Sequence, residues 1–106
     1  MFKAIIKRDG REVPYDIGKI ANVINKAMLA ASRRDEGESQ EMARLVEARL
    51  VETYGEQAPS VEDIQDMVEQ VLMDNGYAMV SKKFIIYRAE RTRARDMNTS
   101  LMRTFN

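Results

Sequence analysis

An Asp-Gly pair between two short apolar runs constrains the start of this chain more than any other feature. Residues 9–10 are this pair, and the pattern is the strongest local signal for a β-hairpin with a two-residue loop. With this loop, Lys7 opposes Glu12 and Arg8 opposes Arg11. Like charges directly opposed across a hairpin are destabilising. The sequence therefore predicts either an anion at the hairpin tip or relief of the repulsion by the neighbouring carboxylate and water.

Four segments after the hairpin carry apolar residues at helical spacing, and we expect a helix in each. The predicted helices cover residues 17–28, 40–54, 61–74 and 78–97. Asp16 is a plausible N-cap for the first, Ser60 and Asp63 form a capping box before the third, and Gly55 ends the second. The pattern predicts an α+β fold in which a small N-terminal β-hairpin, or a three-stranded sheet containing it, caps a four-helix bundle.

Composition excludes several kinds of chemistry. The 106 residues fit one domain, and they include neither cysteine nor histidine. A disulfide scaffold, a thiolate zinc site, a cysteine nucleophile and histidine acid/base catalysis are therefore excluded. The sequence contains no apolar run long enough for a membrane span and no signal-peptide core, so we expect a cytoplasmic protein without membrane partners.

The formal net charge is zero, but the charges lie in blocks. The first 34 residues and the last 29 are basic, while residues 35–77 are acidic. If the two ends meet in the fold, they form one basic surface that suits a polyanion. Alternatively, both ends pair with the acidic middle, and the sequence does not separate these possibilities.

Two further groups of cations allow more than one interpretation. Lys19 lies in the first turn of the first helix, where a bound phosphate would be favoured by both the ammonium and the backbone amides. Phe84, Tyr87, Arg88 and Arg91 fall on one side of the fourth helix, where they suit a base and phosphates. A solvated lysine, core aromatic residues and surface arginines explain the same pattern without a ligand.

Three segments resemble, in the right order, the signature segments of the ATP-cone family, the small nucleotide-binding regulatory domain of ribonucleotide reductases. The segments are Ile6 to Arg11 continued by Val13 to Lys19-Ile20, then Pro59 to Glu69, then Val80 to Arg91. The resemblance covers residues 2–96. Residues 95–105 also resemble the junction into the catalytic part of anaerobic ribonucleotide reductases. The resemblance thus implies an ATP-cone domain at 2–96 and a linker, or the start of a catalytic domain, at 97–106.

The resemblance implies an allosteric site for ATP or dATP with Mg²⁺, in a domain without catalytic activity of its own. ATP would favour the active reductase, and dATP would inhibit it by changing subunit assembly. The partners implied are a catalytic domain or subunits of a ribonucleotide reductase, most directly an anaerobic ribonucleoside-triphosphate reductase, and further copies of the same chain. The site residues implied by matching positions are Lys7, Arg8, Glu12, Val13, Lys19, Ile20, Val61, Ile64, Tyr87, Arg88 and Arg91.

The alternative is a nucleotide-sensing or nucleic-acid-associated module without an enzymatic context, like the cone of a transcriptional repressor. That relative carries a zinc ribbon before the cone, whereas this sequence has no cysteine. Nucleic acid is disfavoured as a partner because the arginine face contains no recognised reading motif and the acidic middle would repel a duplex.

Overall fold

The computed structural model describes the backbone of residues 1–105 and the side chains of residues 1–94. A two-stranded hairpin precedes four helices, which confirms the predicted α+β fold. The elements are β1 (Ala4–Ile6), β2 (Glu12–Pro14), α1 (Ile17–Ala30), α2 (Glu38–Tyr54), α3 (Val61–Asp74) and α4 (Ala78–Phe105). Phe2, which precedes β1, is buried in the same hydrophobic core as the helices.

The hairpin register differs from the prediction by one residue. Ile5 pairs with Val13 and Ile6 pairs with Glu12, so the loop has three residues rather than two. Gly10 adopts a φ of +87° and donates its N–H to the Lys7 carbonyl at 2.9 Å, as in a turn that closes with a left-handed residue. A shift of one residue turns side chains to the other face, so Lys7 shares the face of Ile5 and Val13.

The predicted third strand is reduced to one parallel bridge between Ile6 and Ser60. On this edge of β1, the Phe2 N–H donates to the Gly55 carbonyl and the Ile6 N–H donates to the Pro59 carbonyl, both at 2.9 Å. The connection between α2 and α3 therefore anchors the hairpin through its backbone.

The helix ends follow the predicted capping chemistry. The Asp16 carboxylate accepts the Gly18 N–H at 2.8 Å at the start of α1. Ser60 and Asp63 exchange side-chain and backbone hydrogen bonds before α3, which is the capping box expected from the sequence. Gly55, at φ +61°, ends α2. These caps fix where α1 and α3 begin, and both beginnings lie beside the cavity described below.

Asp35 organises the loop before α2. Its carboxylate accepts the backbone N–H groups of Gly37 and Ser39 and the Ser39 hydroxyl. Ser39 is buried, and this carboxylate satisfies its hydroxyl. Although partial burial acts to raise the pKa of Asp35, these hydrogen bonds outweigh it and lower the pKa below its usual value. A carboxylate two residues before the N-cap thus replaces a capping side chain, which Gly37 lacks.

The helices form a four-membered bundle in which α1 and α3 each pack against both α2 and α4. The stripes predicted on α1 and α3 are buried. The core side chains on the four helices are Ile20, Ile24, Ala27, Met28, Met42, Ala43, Val46, Leu50, Ile64, Val68, Val71, Leu72, Val80 and Phe84. Burying these apolar groups is the main favourable term that holds the bundle together.

Helix α4 continues through residues 98–105, so its predicted end at residue 97 is wrong. Neither glycine nor proline interrupts that stretch, and Asn, Thr and Ser only weakly disfavour a helix. The side chains of residues 97–106, where a linker or the start of another domain is expected, lie outside the described residues.

Candidate functional site

A cavity of about 220 Å³ lies between the hairpin, α1, α3 and α4. Most of its wall is apolar, with Ile5 from the hairpin facing the side chains of three helices. The apolar lining consists of Ile5, Pro14, Ile20, Val23, Val61, Ile64, Val68 and Phe84. Ligand pockets usually measure about 300–1,000 Å³, so this cavity suits the flat apolar part of a ligand whose remainder lies outside.

Charged and polar side chains surround the mouth of the cavity. Lys19 from the first turn of α1 and Arg91 from α4 line it, and both residues are exposed. Asp16 contributes one carboxylate, whose Oδ1 atom is engaged by the Gly18 N–H. Two cations against one carboxylate leave the mouth positive, which favours an anionic ligand group.

Six of the eleven predicted site residues meet at this cavity. They are Lys19, Ile20, Val61, Ile64, Tyr87 and Arg91. Lys7 and Val13 lie on the hairpin face of Ile5, close to the cavity but not in its wall. Arg8 lies exposed in the hairpin loop. Glu12 pairs with Ile6 on the other hairpin face and does not line the cavity.

The structure places Arg88 away from the cavity, on the α3 side of α4. Its Nη1 atom donates to Glu69 Oε1 at 2.7 Å and to Asp66 Oδ1 at 2.9 Å. The side chain is 20% exposed, so the Glu69 contact is partly shielded from water. Arg88 and Arg91 thus have different surroundings, although both lie on the arginine side of α4 predicted from the spacing.

The hairpin tip contains an ion pair between Arg11 and Asp9. Arg11 donates through Nε to Asp9 Oδ2 at 2.7 Å and through its backbone N–H to Asp9 Oδ1 at 3.1 Å. These contacts, the backbone hydrogen bond first, lower the pKa of Asp9. The predicted opposition of Arg8 and Arg11 is wrong, because the observed register places Lys7 opposite Arg11. Of the two predicted sources of relief, the Asp9 carboxylate is present at the tip.

Three polar residues of the cavity wall were not predicted as site residues, namely Tyr15, Asp16 and Gln65, of which Asp16 was predicted only as an N-cap. Glu47 on α2 is half-buried and accepts the Tyr15 hydroxyl at 2.7 Å. Burial, together with the Glu47 carboxylate, raises the pKa of Tyr15 well above its ordinary value. The signal for the Tyr15 position was its place on the apolar side of the hairpin, whereas nothing in the α2 pattern distinguishes Glu47 from the other acids.

In the part of the chain whose side chains are described, no three acidic residues gather as a metal site requires. Mg²⁺ commonly binds through one or two carboxylates and the phosphates of its ligand, and Asp16 at the mouth fits that pattern. The described residues also include no helix with the length and apolarity needed to cross a bilayer.

An apolar cleft with a cationic mouth suits a ligand that is flat and apolar at one end and anionic at the other. Residues 3–93 match the family model described as the ATP cone domain. The chain therefore belongs to the ATP-cone family, as its signature segments indicated.

Its relatives are ribonucleotide reductases of several kinds. The chain is 39% identical over 101 residues to a vitamin B12-dependent ribonucleoside-diphosphate reductase of Thermoplasma acidophilum, covering 91% of this chain and 13% of that protein. It is 34% identical over 99 residues to the ribonucleoside-diphosphate reductase subunit alpha of Chlamydia pneumoniae, covering 87% and 10%. It is 32% identical over 97 residues to an anaerobic ribonucleoside-triphosphate reductase of Haemophilus influenzae, covering 92% and 14%. The chain thus spans only a small part of the length of these relatives.

Proposed function

We propose that this chain is the effector-binding regulatory domain of a ribonucleotide reductase and that its cavity binds ATP or dATP with Mg²⁺. The domain corresponds to residues 2–96 and has no catalytic activity of its own. It acts in the cytoplasm on a catalytic domain or subunits, and the effector alters their activity and assembly. The resemblance of residues 95–105 supports an anaerobic ribonucleoside-triphosphate reductase as the host enzyme.

One observation carries the proposal: the apolar cavity and the cationic mouth are adjacent. Val61 and Ile64 from α3 present aliphatic walls that suit the faces of a base. Lys19 and Arg91 stand at the mouth, where the triphosphate would lie, and Lys7 projects from the same hairpin face as Ile5. Arginine and lysine bind phosphate oxygens through charge-assisted hydrogen bonds. A purely structural cavity would not need two exposed cations at its mouth.

The relatives support the assignment to a ribonucleotide reductase more strongly than the assignment to one particular type of reductase. Both diphosphate and triphosphate reductases are among them. The charge and shape of the cavity bear on which effector binds, and they do not indicate which substrate the catalytic part reduces. The anaerobic assignment therefore depends on the resemblance of the last residues, and it is tested separately by activity of the complete enzyme without oxygen.

Titration calorimetry of the chain with ATP, dATP and GTP in Mg²⁺ tests the effector site. Lys19→Ala and Arg91→Ala should each weaken ATP binding about tenfold or more, because a hydrogen bond to a charged group contributes about 1.5–3 kcal/mol. Matched controls are Lys26→Ala on α1 and Arg93→Ala on α4, which remove exposed cations that do not line the cavity. Both controls should bind ATP like the unaltered chain.

Two results would contradict the proposal. Absence of binding heat with all three nucleotides, for a chain shown to be folded, would remove the effector function. Equal affinity of the Lys19→Ala, Arg91→Ala and control variants would remove this cavity as the site. Adenine-selective binding that depends on both mouth cations is the result expected.

A further inference from the structure

Tyr15 occupies an unusual position, because it lines the cavity and is also tied to a helix that does not. It follows β2 directly, and its ring meets Phe2 edge to face, with centroids 4.9 Å apart and planes at 75°. Its hydroxyl donates to Glu47 Oε2 at 2.7 Å. Glu47 belongs to α2, and the cavity lining comes from the hairpin, α1, α3 and α4.

This bond is stronger than an ordinary surface contact. An O–H···O⁻ hydrogen bond of this length is typical of a charge-assisted contact. Tyr15 and Glu47 are both half-buried, so water competes only partly for either group. A tyrosine phenol is protonated at neutral pH, and burial and the Glu47 carboxylate raise the pKa of Tyr15 further, so Tyr15 is the donor.

The opposite edge of the hairpin is anchored differently. Phe2 and Ile6 donate their backbone N–H groups to Gly55 and Pro59 in the α2–α3 connection. The hairpin is therefore held at one side by backbone bonds and at the other by the Tyr15 side chain. Loss of the second anchor would allow the strand end that carries Pro14 and Tyr15 to move relative to α1 and α3, which widens the cavity.

We propose that Tyr15 is a positioning residue of the effector site: its bond to Glu47 sets the distance between the hairpin and the helical cavity walls and couples cavity occupancy to α2. The inference rests on the proposed function, since the ligand in question is the nucleotide effector. A ligand that packs against the Tyr15 ring favours the arrangement in which the bond is formed. By linkage, formation of the bond tightens nucleotide binding by the same factor by which the bound nucleotide favours the bond.

Four variants separate this role from simple packing. Tyr15→Phe keeps the ring and its contact with Phe2 but removes the hydroxyl, and Glu47→Ala removes the acceptor. Each should weaken binding of ATP with Mg²⁺ about five- to tenfold in titration calorimetry, because each removes the same charge-assisted hydrogen bond. The double variant Tyr15→Phe/Glu47→Ala should bind like either single variant, since both changes break one bond. Glu47→Gln retains an amide oxygen as acceptor and should restore affinity to within about twofold of the unaltered chain.

A matched control is Tyr54→Phe. Tyr54 is a partly buried tyrosine at the end of α2 whose pKa is raised by burial and by Asp63, but it does not line the cavity. Removing this second hydroxyl beside a carboxylate should leave nucleotide affinity unchanged. Thermal unfolding of every variant without ligand shows whether an affinity change merely follows a loss of stability.

Three outcomes would overturn the inference. The first is unchanged affinity in Tyr15→Phe and Glu47→Ala, with or without lowered melting temperatures, which would make the bond purely structural. The second is additive losses in the double variant. The third is failure of Glu47→Gln to recover affinity.

If the unaltered chain binds no nucleotide, the proposed function fails by itself, and hydrogen exchange then tests the positioning role of Tyr15. The Phe2 and Ile6 amides, which donate to the α2–α3 connection, should exchange faster in Glu47→Ala and normally in Glu47→Gln. Unchanged exchange in Glu47→Ala would show that Tyr15 does not hold the hairpin in place.

Discussion

Arg88 and Arg91 lie one helical turn apart on α4, and the structure predicts opposite effects of removing them. Arg88 is paired with Glu69 and Asp66 on α3, whereas Arg91 lines the cavity. The variant Arg88→Ala should therefore lower the stability of the folded domain and leave nucleotide affinity intact. Arg91→Ala should weaken nucleotide binding and leave stability nearly unchanged, because its side chain is exposed.

The stability loss expected for Arg88→Ala follows from the exposure of its two partners. The Glu69 contact joins side chains that are 20% and 27% exposed. A charge-assisted hydrogen bond contributes about 1.5–3 kcal/mol to the free energy of unfolding, and solvent screening reduces this contribution somewhat. Asp66 is 71% exposed, and a pair with such a residue contributes at most about 1 kcal/mol. The sum is about 2 kcal/mol. For a domain of this size each kcal/mol shifts the melting temperature by about 4–8 °C, so the expected decrease is roughly 10 °C.

Circular dichroism measures the melting temperature, and calorimetry with ATP and Mg²⁺ measures affinity on the same samples. Arg93→Ala, an exposed arginine on the same helix, is the control and should change neither quantity. In a double-mutant cycle with Glu69→Ala, most of the stability lost in Arg88→Ala should appear as an interaction energy between the two side chains. A variant Arg88→Ala that melts normally but loses nucleotide affinity would refute the reasoning, since it would place Arg88 at the ligand rather than on α3.

The remaining predictions concern stability. Gly10→Ala should destabilise the domain by about 1–2 kcal/mol in urea unfolding, because a residue with a Cβ is strained at φ +87° even where that Cβ would meet no atom. An unchanged unfolding midpoint would contradict the observed hairpin turn. Asp35→Ala should cost about 1–3 kcal/mol by the same assay, since it uncaps α2 and leaves the buried Ser39 hydroxyl without its acceptor, and Asp35→Asn should lose less. The raised pKa of Tyr15 means that the unfolded chain loses this proton near pH 10 while the folded chain keeps it. The contribution of Tyr15 to stability should therefore be constant below that pH and fall as pH rises through it, so the alkaline loss of stability should be shallower in Tyr15→Phe; an equal slope in both chains would contradict the assignment.

The local sequence pattern of the hairpin does not determine its register. An Asp-Gly pair suits a two-residue loop, but glycine also suits the left-handed last position of a three-residue loop, which is where Gly10 lies. The two arrangements differ by one residue in register and are similar in local energy. Packing of Ile5 against the helices and the backbone bonds to Gly55 and Pro59 favour the second. This shift places Lys7 on the same hairpin face as Val13, whereas the two-residue loop would pair Lys7 with Glu12.

Helices α1 and α3 were predictable because their apolar stripes are strong and their caps use ordinary chemistry. Ile24 and Val71, for example, are fully buried where the spacing predicted a core. The partners of Arg88 were not predictable in the same way. Spacing places Arg88 near Arg91 on the helix, but only the packing of α3 against α4 determines which one meets acids and which one meets the cavity. The hydrogen bond between Tyr15 and Glu47 joins residues 32 positions apart, and the periodicity of apolar residues along the sequence does not predict such a contact.

Strand β1 has two neighbours that become available at very different times on a growing chain. Its pairing with β2 needs only the first 14 residues and closes within about 1–10 μs. The bonds to Gly55 and Pro59 must wait until the ribosome has added some 45 further residues, which takes roughly 2–9 s at ordinary synthesis rates. During those seconds the outer edge of β1 is open to other nascent strands. Lys3 and Lys7, which flank β1, supply the edge charges that discourage such pairing until its own partner arrives.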